Sequence, residues 1–226
     1  MSSASDELSV VSRETVIVVG NGMVSHRFCE AMRAKVGPER ARILVFGEET
    51  WPAYDRVQLT KYFELSSATP LLLGTSAWYA ERDIELHTAV RVDAVDLVSR
   101  EVVTDRGERH AFDRLVLATG SLAFVPPVPG IDREGVFVYR TIDDLDAIRA
   151  YASKAKRCAV LGGGLLGLEA ARAVQQCGVE AHVIEMAPRL MPRQIDAIGG
   201  RLLKRAIESM GVSVHVGCGT REVLGD

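Results

Sequence analysis

Two short glycine clusters carry the clearest chemical signal in this sequence. The first is Gly20-Asn21-Gly22-Met23-Val24-Ser25, the second Gly162-Gly163-Gly164-Leu165-Leu166-Gly167. Each follows a run of aliphatic residues and precedes a helix-like stretch, which is the setting of a dinucleotide fingerprint. The first glycine of such a cluster permits a tight turn. The next lets a pyrophosphate approach the backbone, where the N–H groups and partial positive charge of a helix start receive it. Gly20 and Gly22 take these roles in the first cluster, with Asn21 and Met23 beside them, and Ser25 replaces the third glycine. Gly162, Gly164 and Gly167 supply all three in the second, where Leu165 opens the helix.

A dinucleotide cradle also needs an acidic residue at the end of its second strand, to accept ribose hydroxyls. Glu48 stands there for the first cluster, with Glu49 as a competitor, and Glu185 stands there for the second. One such cluster is weak evidence, because glycine turns also join strands to helices for structural reasons alone. Two clusters, each with its acidic residue, imply two dinucleotides and electron transfer between them. Glu185 also bears on the nicotinamide cofactor. A 2′-phosphate about 4 Å from a carboxylate would cost roughly 4 kcal/mol per unit charge at an effective dielectric near 20, which favours NADH over NADPH. Arg189, close by in sequence, weakens that argument.

The elements that must position these groups alternate as in a parallel sheet. Thr15–Val19 and Ala41–Phe46 read as buried strands around a helix over 23–35, and 115–118 as another strand. Residues 51–83 show no strict period, and a connection that long is usually functional. Residues 84–112 alternate in short stretches, as an antiparallel hairpin or meander does. Three prolines in Phe124–Gly130 mark a stiff linker. Thr141 and Asp144 form a capping box for a short helix carrying Leu145 and Ile148. Strands at 158–161 and 181–184 then flank a helix over 165–176. A helix over 195–210 follows, with Ile198, Leu202, Ala206 and Met210 on one stripe, and Val212, Val214 and Val216 alternate as a strand. The expected division is a disordered tail over 1–14, a first domain over 15–125, a linker over 126–140 and a second domain over 141–226.

Composition narrows the function. With 27 Lys and Arg against 30 Asp and Glu, the net charge of −3 gives no reason to expect nucleic acid or an anionic membrane as partner. No apolar run reaches the roughly 18 residues of a membrane helix, and the polar start is no secretory signal. Cys29, Cys158, Cys177 and Cys218 are too far apart for a CxxC dithiol or a short-spaced metal set, and read as buried, inert thiols. The five histidines are scattered, so no metal site is expected. Trp51 and Trp78 read as packing residues.

The stretches GNGMVSHRFCE, WPAYDRVQLTKYF, LVLATGS, FVPPVPG, YRTIDDLDAI, GGGLLGLEAA and HVIEMAPRLMPRQID occur in this order. They resemble the two-dinucleotide flavoprotein reductases related to ferredoxin and rubredoxin reductases. Within that group they are most similar to the amino-terminal flavin module of the large subunits of assimilatory NAD(P)H-nitrite reductases. The resemblance covers about residues 15–221 and implies an α/β fold of two Rossmann-like, glutathione-reductase-type domains with a small antiparallel β-meander. It implies FAD on Gly20, Gly22 and Glu48, with Arg56, Val92, Thr119 and Gly120 lining the same pocket, and NADH on the second cradle. It implies Lys61, paired with Glu169, beside the flavin, where a lysine stabilises negative charge on the reduced ring.

The same resemblance implies that the second domain and the return of the first are incomplete within these 226 residues. The returning segment, with an aspartate near the ribityl chain, would lie outside them. So would the iron–sulfur and sirohaem regions. The expected activity is electron transfer from NADH through FAD to a downstream centre, for nitrite reduction in the full-length protein, in the cytoplasm. A ferredoxin or rubredoxin reductase cut short is the second enzyme reading. A non-catalytic module that binds NADH but does not retain flavin is the third. A homodimer is an open expectation.

Overall fold

The computed structural model describes residues 13–225. The tail expected over 1–14 lies outside them, except for Arg13 and Glu14. The chain forms two compact units. One comprises the described residues up to Asp55 together with Leu71–Ser121; the other comprises Arg56–Pro70 together with the residues from Leu122 onward.

In the first unit β1 (Glu14–Val19), α1 (Met23–Arg33) and β2 (Ala41–Phe46) form the first βαβ passage. The helix α2 (Ser76–Ala80), capped by Thr75 on the Trp78 amide, leads into β3 (Ile84–His87). Then come β4 (Val92–Asp96), β5 (Glu101–Thr104), β6 (Arg109–Ala111) and β7 (Arg114–Leu117). The sheet runs β3-β2-β1-β7, all parallel, while β4-β5-β6 make a separate antiparallel meander. Residues 84–87 therefore depart from the antiparallel expectation. They pair parallel with β2, Ile43 opposite Ile84 and Phe46 opposite His87. Their short alternation describes one half-buried strand equally well in either direction, so only the partner settles it.

Alternation of side chains gives this sheet two cores. Val16, Val18, Ile43 and Val45 pack with Cys29 of α1 and Tyr79 of α2. Ile17, Val19, Leu44 and Phe46 pack on the opposite face with Val90, Val102 and Phe112, beneath the meander. Both faces are covered, which is why residues 16–19 of β1 and 43–46 of β2 are apolar at every position.

The second unit repeats the motif. It contains α3 (Ile142–Ala152), β8 (Arg157–Leu161), α4 (Leu165–Gln176), β9 (Glu180–Glu185), α5 (Ala197–Ser209) and β10 (Ser213–Val216), with parallel order β10-β9-β8. The capping box of α3 is present, Thr141 taking the Asp144 amide and Asp144 the Thr141 amide. The core joins Ala171, Ala181, Val183, Leu190, Val212 and Val214, with Leu203 and Ile207 of α5 against it. The stripe Ile198–Leu202–Ala206–Met210 instead faces outward, Ile198 and Leu202 each being 60% exposed. Gly200 is the buried position of α5, and its lack of a side chain makes room for the Arg189 stem. A methyl there would lie 2.9 Å from Arg189 Cβ.

The irregular stretch 51–83 is shared between the units. Arg56–Glu64 is a run of 3-10 turns packed against α3 and α4. Tyr62 donates to Asp146 at 2.6 Å, and the Arg149 guanidinium lies 4.6 Å from the centre of the Tyr62 ring. Burial, then the Asp146 carboxylate, push the Tyr62 phenol up to about 12.

Candidate functional site

The two glycine clusters fold alike. Gly20 sits at φ +103° and Gly162 at +114°, a region that favours glycine. Each passes its amide to the end of the neighbouring strand, Gly20 to the Phe46 carbonyl at 2.8 Å and Gly162 to the Ile184 carbonyl at 2.9 Å. A methyl on Gly20 would lie 2.2 Å from the Ala118 carbonyl oxygen and 2.9 Å from Thr119 Cα, so the Thr119-Gly120 turn lies directly against the first cradle. A methyl on Gly167 would lie 1.9 Å from the Gly162 carbonyl, which makes that third glycine a requirement of helix–strand packing.

Gly22 and Gly164 differ from these. Each is the N-cap of its helix, neither helix has a side-chain cap, and a methyl on either would meet nothing within 4 Å. Open space therefore faces uncapped amides at both helix starts. A helix N-terminus with free N–H groups and room beside it is a pyrophosphate seat, so both cradles fit the dinucleotides expected of them. Met23 and Leu165, the first residues of α1 and α4, are partly exposed at the rims.

The carboxylates behave differently. Glu185 is part of its cradle: its two oxygens accept the Gly163 amide at 2.7 Å and the Ala187 amide at 2.7 Å. Two oxygens of a carboxylate have capacity left for ribose hydroxyls. Arg189, whose charge was expected to oppose this selectivity, is committed elsewhere, donating to the carbonyls of Ile195 and Pro192 at 3.1 Å each. In the first unit, Tyr54 donates to Glu49 at 2.5 Å, which holds that competitor within its own loop. Glu48 is exposed just past β2, and its charge is felt by Arg91.

A brace that the sequence did not announce supports the first cradle. Tyr79 donates to Asn21 Oδ1 at 3.2 Å and lies 3.3 Å from His26 Nδ1, while Asn21 Nδ2 donates to the Trp51 carbonyl at 3.3 Å. His26 packs 4.4 Å from the Trp78 ring, and burial lowers its pKa. Tyr79 is 58 residues from Asn21, so no local pattern links them. The sequence carries no signal for it: its histidines read as scattered and Trp78 as a packing residue.

Arg56, Lys61 and Glu169 lie in the second unit. Arg56 donates to the Arg140 carbonyl at 3.1 Å. Lys61 Nζ is on Gln58 Oε1 at 2.7 Å, and no ion pair joins it to Glu169 among the described residues. Glu169, half-buried on α4, instead makes itself felt at Tyr139, whose phenol bonds Thr60 at 3.1 Å. Val92 opens β4 and is partly buried against the core beneath the meander. Of the cysteines, Cys29 is buried and its thiol pushed up to about 11 by that burial. Cys218 is exposed, against the expectation of a buried thiol. Among the described residues no helix is long and apolar enough to cross a membrane.

Paired cradles of this construction, each on a parallel βαβ passage and one beside an antiparallel meander, define a class of α/β protein built for two dinucleotides. The whole described chain conforms: it matches the family "Pyridine nucleotide-disulphide oxidoreductase" over residues 14–226, and it belongs to that family. It is 46% identical over 214 residues, 95% of its length, to the nitrite reductase [NAD(P)H] large subunit of Klebsiella oxytoca, and 44% identical over 214 residues to the nitrite reductase (NADH) large subunit of Escherichia coli. The chain spans 22% and 25% of those two proteins. Among solved structures it is similar to the ferredoxin reductase of the CYP199A2 system from Rhodopseudomonas palustris, with a TM-score of 0.86 and 26% identity, covering 95% of this chain and 53% of that one.

Proposed function

We propose that the chain is an NAD(P)H-dependent flavoprotein oxidoreductase module, with FAD on the first cradle and NADH on the second. The observation that carries the reading is the pair of uncapped helix starts at Gly22 and Gly164, each with open space beside it. Bound together, these cofactors supply two-electron transfer from a nicotinamide to a flavin. The protein's part is to hold and to orient. Backbone amides at the starts of α1 and α4 receive the pyrophosphates; Glu48 and Glu185 accept ribose hydroxyls; Glu185 disfavours a 2′-phosphate. Arg56, Val92, Thr119 and Gly120 are proposed flavin-pocket residues. Lys61, with Glu169, is proposed to bring positive charge to the reactive edge of the flavin.

The similarity to nitrite reductase large subunits supports nitrite as the final substrate of a longer protein; the acceptor between flavin and nitrite is proposed to be an iron–sulfur and sirohaem region of that protein. The similarity to a ferredoxin reductase supports a second reading, in which a small iron–sulfur protein is the acceptor. Equilibrium titration of the purified chain tests the reading. One FAD and one NADH per chain is the expected stoichiometry. A chain that binds NADH and no FAD is the non-catalytic module instead.

A further inference from the structure

The chain as a whole is slightly acidic, with a net charge of −3, but one stretch of the second unit runs the other way. Between residues 189 and 205, Arg189, Arg193, Arg201, Lys204 and Arg205 stand against one carboxylate, Asp196. Asp196 is spent on capping α5, where it accepts the Gly199 amide at 2.7 Å. Arg189 is held in place by the Ile195 and Pro192 carbonyls. Lys204 lies 3.6 Å from Glu208, while Arg201 and Arg205 have no ion pair among the described residues.

A cavity of about 280 Å³ opens between Arg189, Arg201 and Lys204, with apolar surface from Pro188, Ala197 and Val216. Pockets that enclose a whole small-molecule ligand measure roughly 300–1,000 Å³, so this one suits a single large side chain. Next to Ala197 and Arg201 in α5, Ile198 and Leu202 remain exposed. Apolar surface rimmed by charge is the mark of a partner site. Neither Glu185 nor any residue of the 162–167 turn lines the cavity, so it is separate from the second cradle.

We propose that this face of α5 docks an acidic segment of a partner protein. One aliphatic side chain of that segment fills the cavity, a neighbouring one covers Leu202, and its carboxylates lie against Arg201, Lys204 and Arg205. An apolar anchor in a pocket supplies most of the energy of such a contact, and the opposite charges around it steer and select the partner. The charge and the shape together favour this occupant over others. A second copy of the chain, meeting the first through the same patch, would set like charges opposite each other. A lipid surface cannot send a side chain into a concave pocket. A nucleic acid strand wants aromatic platforms for its bases, and no aromatic residue lines the cavity. The inference does not depend on the cofactor reading.

The test is fluorescence anisotropy of the full chain with a labelled helical peptide, leucine at every third and fourth position and glutamate elsewhere. Saturable binding that weakens as salt rises is expected. The same peptide with lysine for glutamate, or with serine for leucine, should bind at least about tenfold more weakly. Arg201→Glu should weaken the acidic peptide by about tenfold or more, and Leu202→Ser and Lys204→Gln severalfold. All three positions are at the surface, and thermal unfolding checks that each variant is folded. Arg27→Glu is the control, since that side chain is 77% exposed in the first unit. It should leave the affinity unchanged. No binding, equal binding of the lysine peptide, equal losses in Arg27→Glu and Arg201→Glu, or binding to phosphatidylserine vesicles in place of the peptide would each overturn the proposal.

Discussion

The Glu185 carboxylate accepts the backbone amide of Gly163 at 2.7 Å, so the residue proposed to select the cofactor also holds the glycine turn in shape. Its other oxygen takes the Ala187 amide. Glu185→Ala should therefore weaken NADH and relieve the repulsion of a 2′-phosphate together. The ratio of NADPH to NADH affinity should rise by about tenfold or more, which is ~1.4 kcal/mol. Binding titrations with both nucleotides measure it. An unchanged ratio would remove Glu185 from the selectivity.

Gly20 and Gly22 are two residues apart and should fail differently. Alanine at Gly20 meets the Ala118 carbonyl at 2.2 Å in a strained backbone region, and should cost more than about 2 kcal/mol of stability. Alanine at Gly22 meets no protein atom, so the chain should unfold at nearly the wild-type temperature and bind flavin poorly. Thermal unfolding and flavin titration on both variants separate the effects. The opposite pattern would contradict the division into a turn glycine and a pyrophosphate glycine.

Lys61→Ala should slow flavin reduction by NADH, on the order of 10²-fold if the lysine stabilises developing charge as other preorganised donors do. FAD should stay bound. Lys61 lies on Gln58 Oε1 at 2.7 Å here, and the proposed role requires that bond to give way to the flavin. Anaerobic stopped-flow kinetics reads the rate, and an unaltered rate would leave Lys61 as an ordinary exposed lysine.

The cradle brace should respond to acid. Burial lowers the His26 pKa below its usual 6.5, so the unfolded chain binds that proton more readily than the folded one. His26 thus contributes stability that is complete above pH 6.5 and is lost as pH falls through the lowered value. Denaturant midpoints at pH 7.5 and 5.5 should differ less in His26→Gln than in the wild type. Equal differences in both would exclude His26 as a source of the acid sensitivity.

Much of this was legible in the residues. The spacing of the glycines and of Glu185 anticipated the second cradle, and the helix expected over 165–176 is α4 to the residue. Local periodicity reports which faces of an element are apolar, but not which element covers them. That is why the direction of Ile84–His87, the outward face of Ile198 and Leu202, and the packing of Arg56–Glu64 with α3 and α4 emerged only in three dimensions. The Asn21–Tyr79–His26 brace joins the first glycine turn to two helices far apart in sequence, and the Arg189 clamp lies within the loop before α5, where no period is present to read.

The most direct measurement is an anaerobic NADH titration of the flavin-loaded chain, watched at the visible absorption band of the flavin. The two-cradle account predicts that the yellow colour bleaches with about one NADH per flavin, and that Gly164→Ala raises the NADH needed while leaving the starting colour intact. Colour that persists through excess NADH, with NADH demonstrably bound, would contradict it.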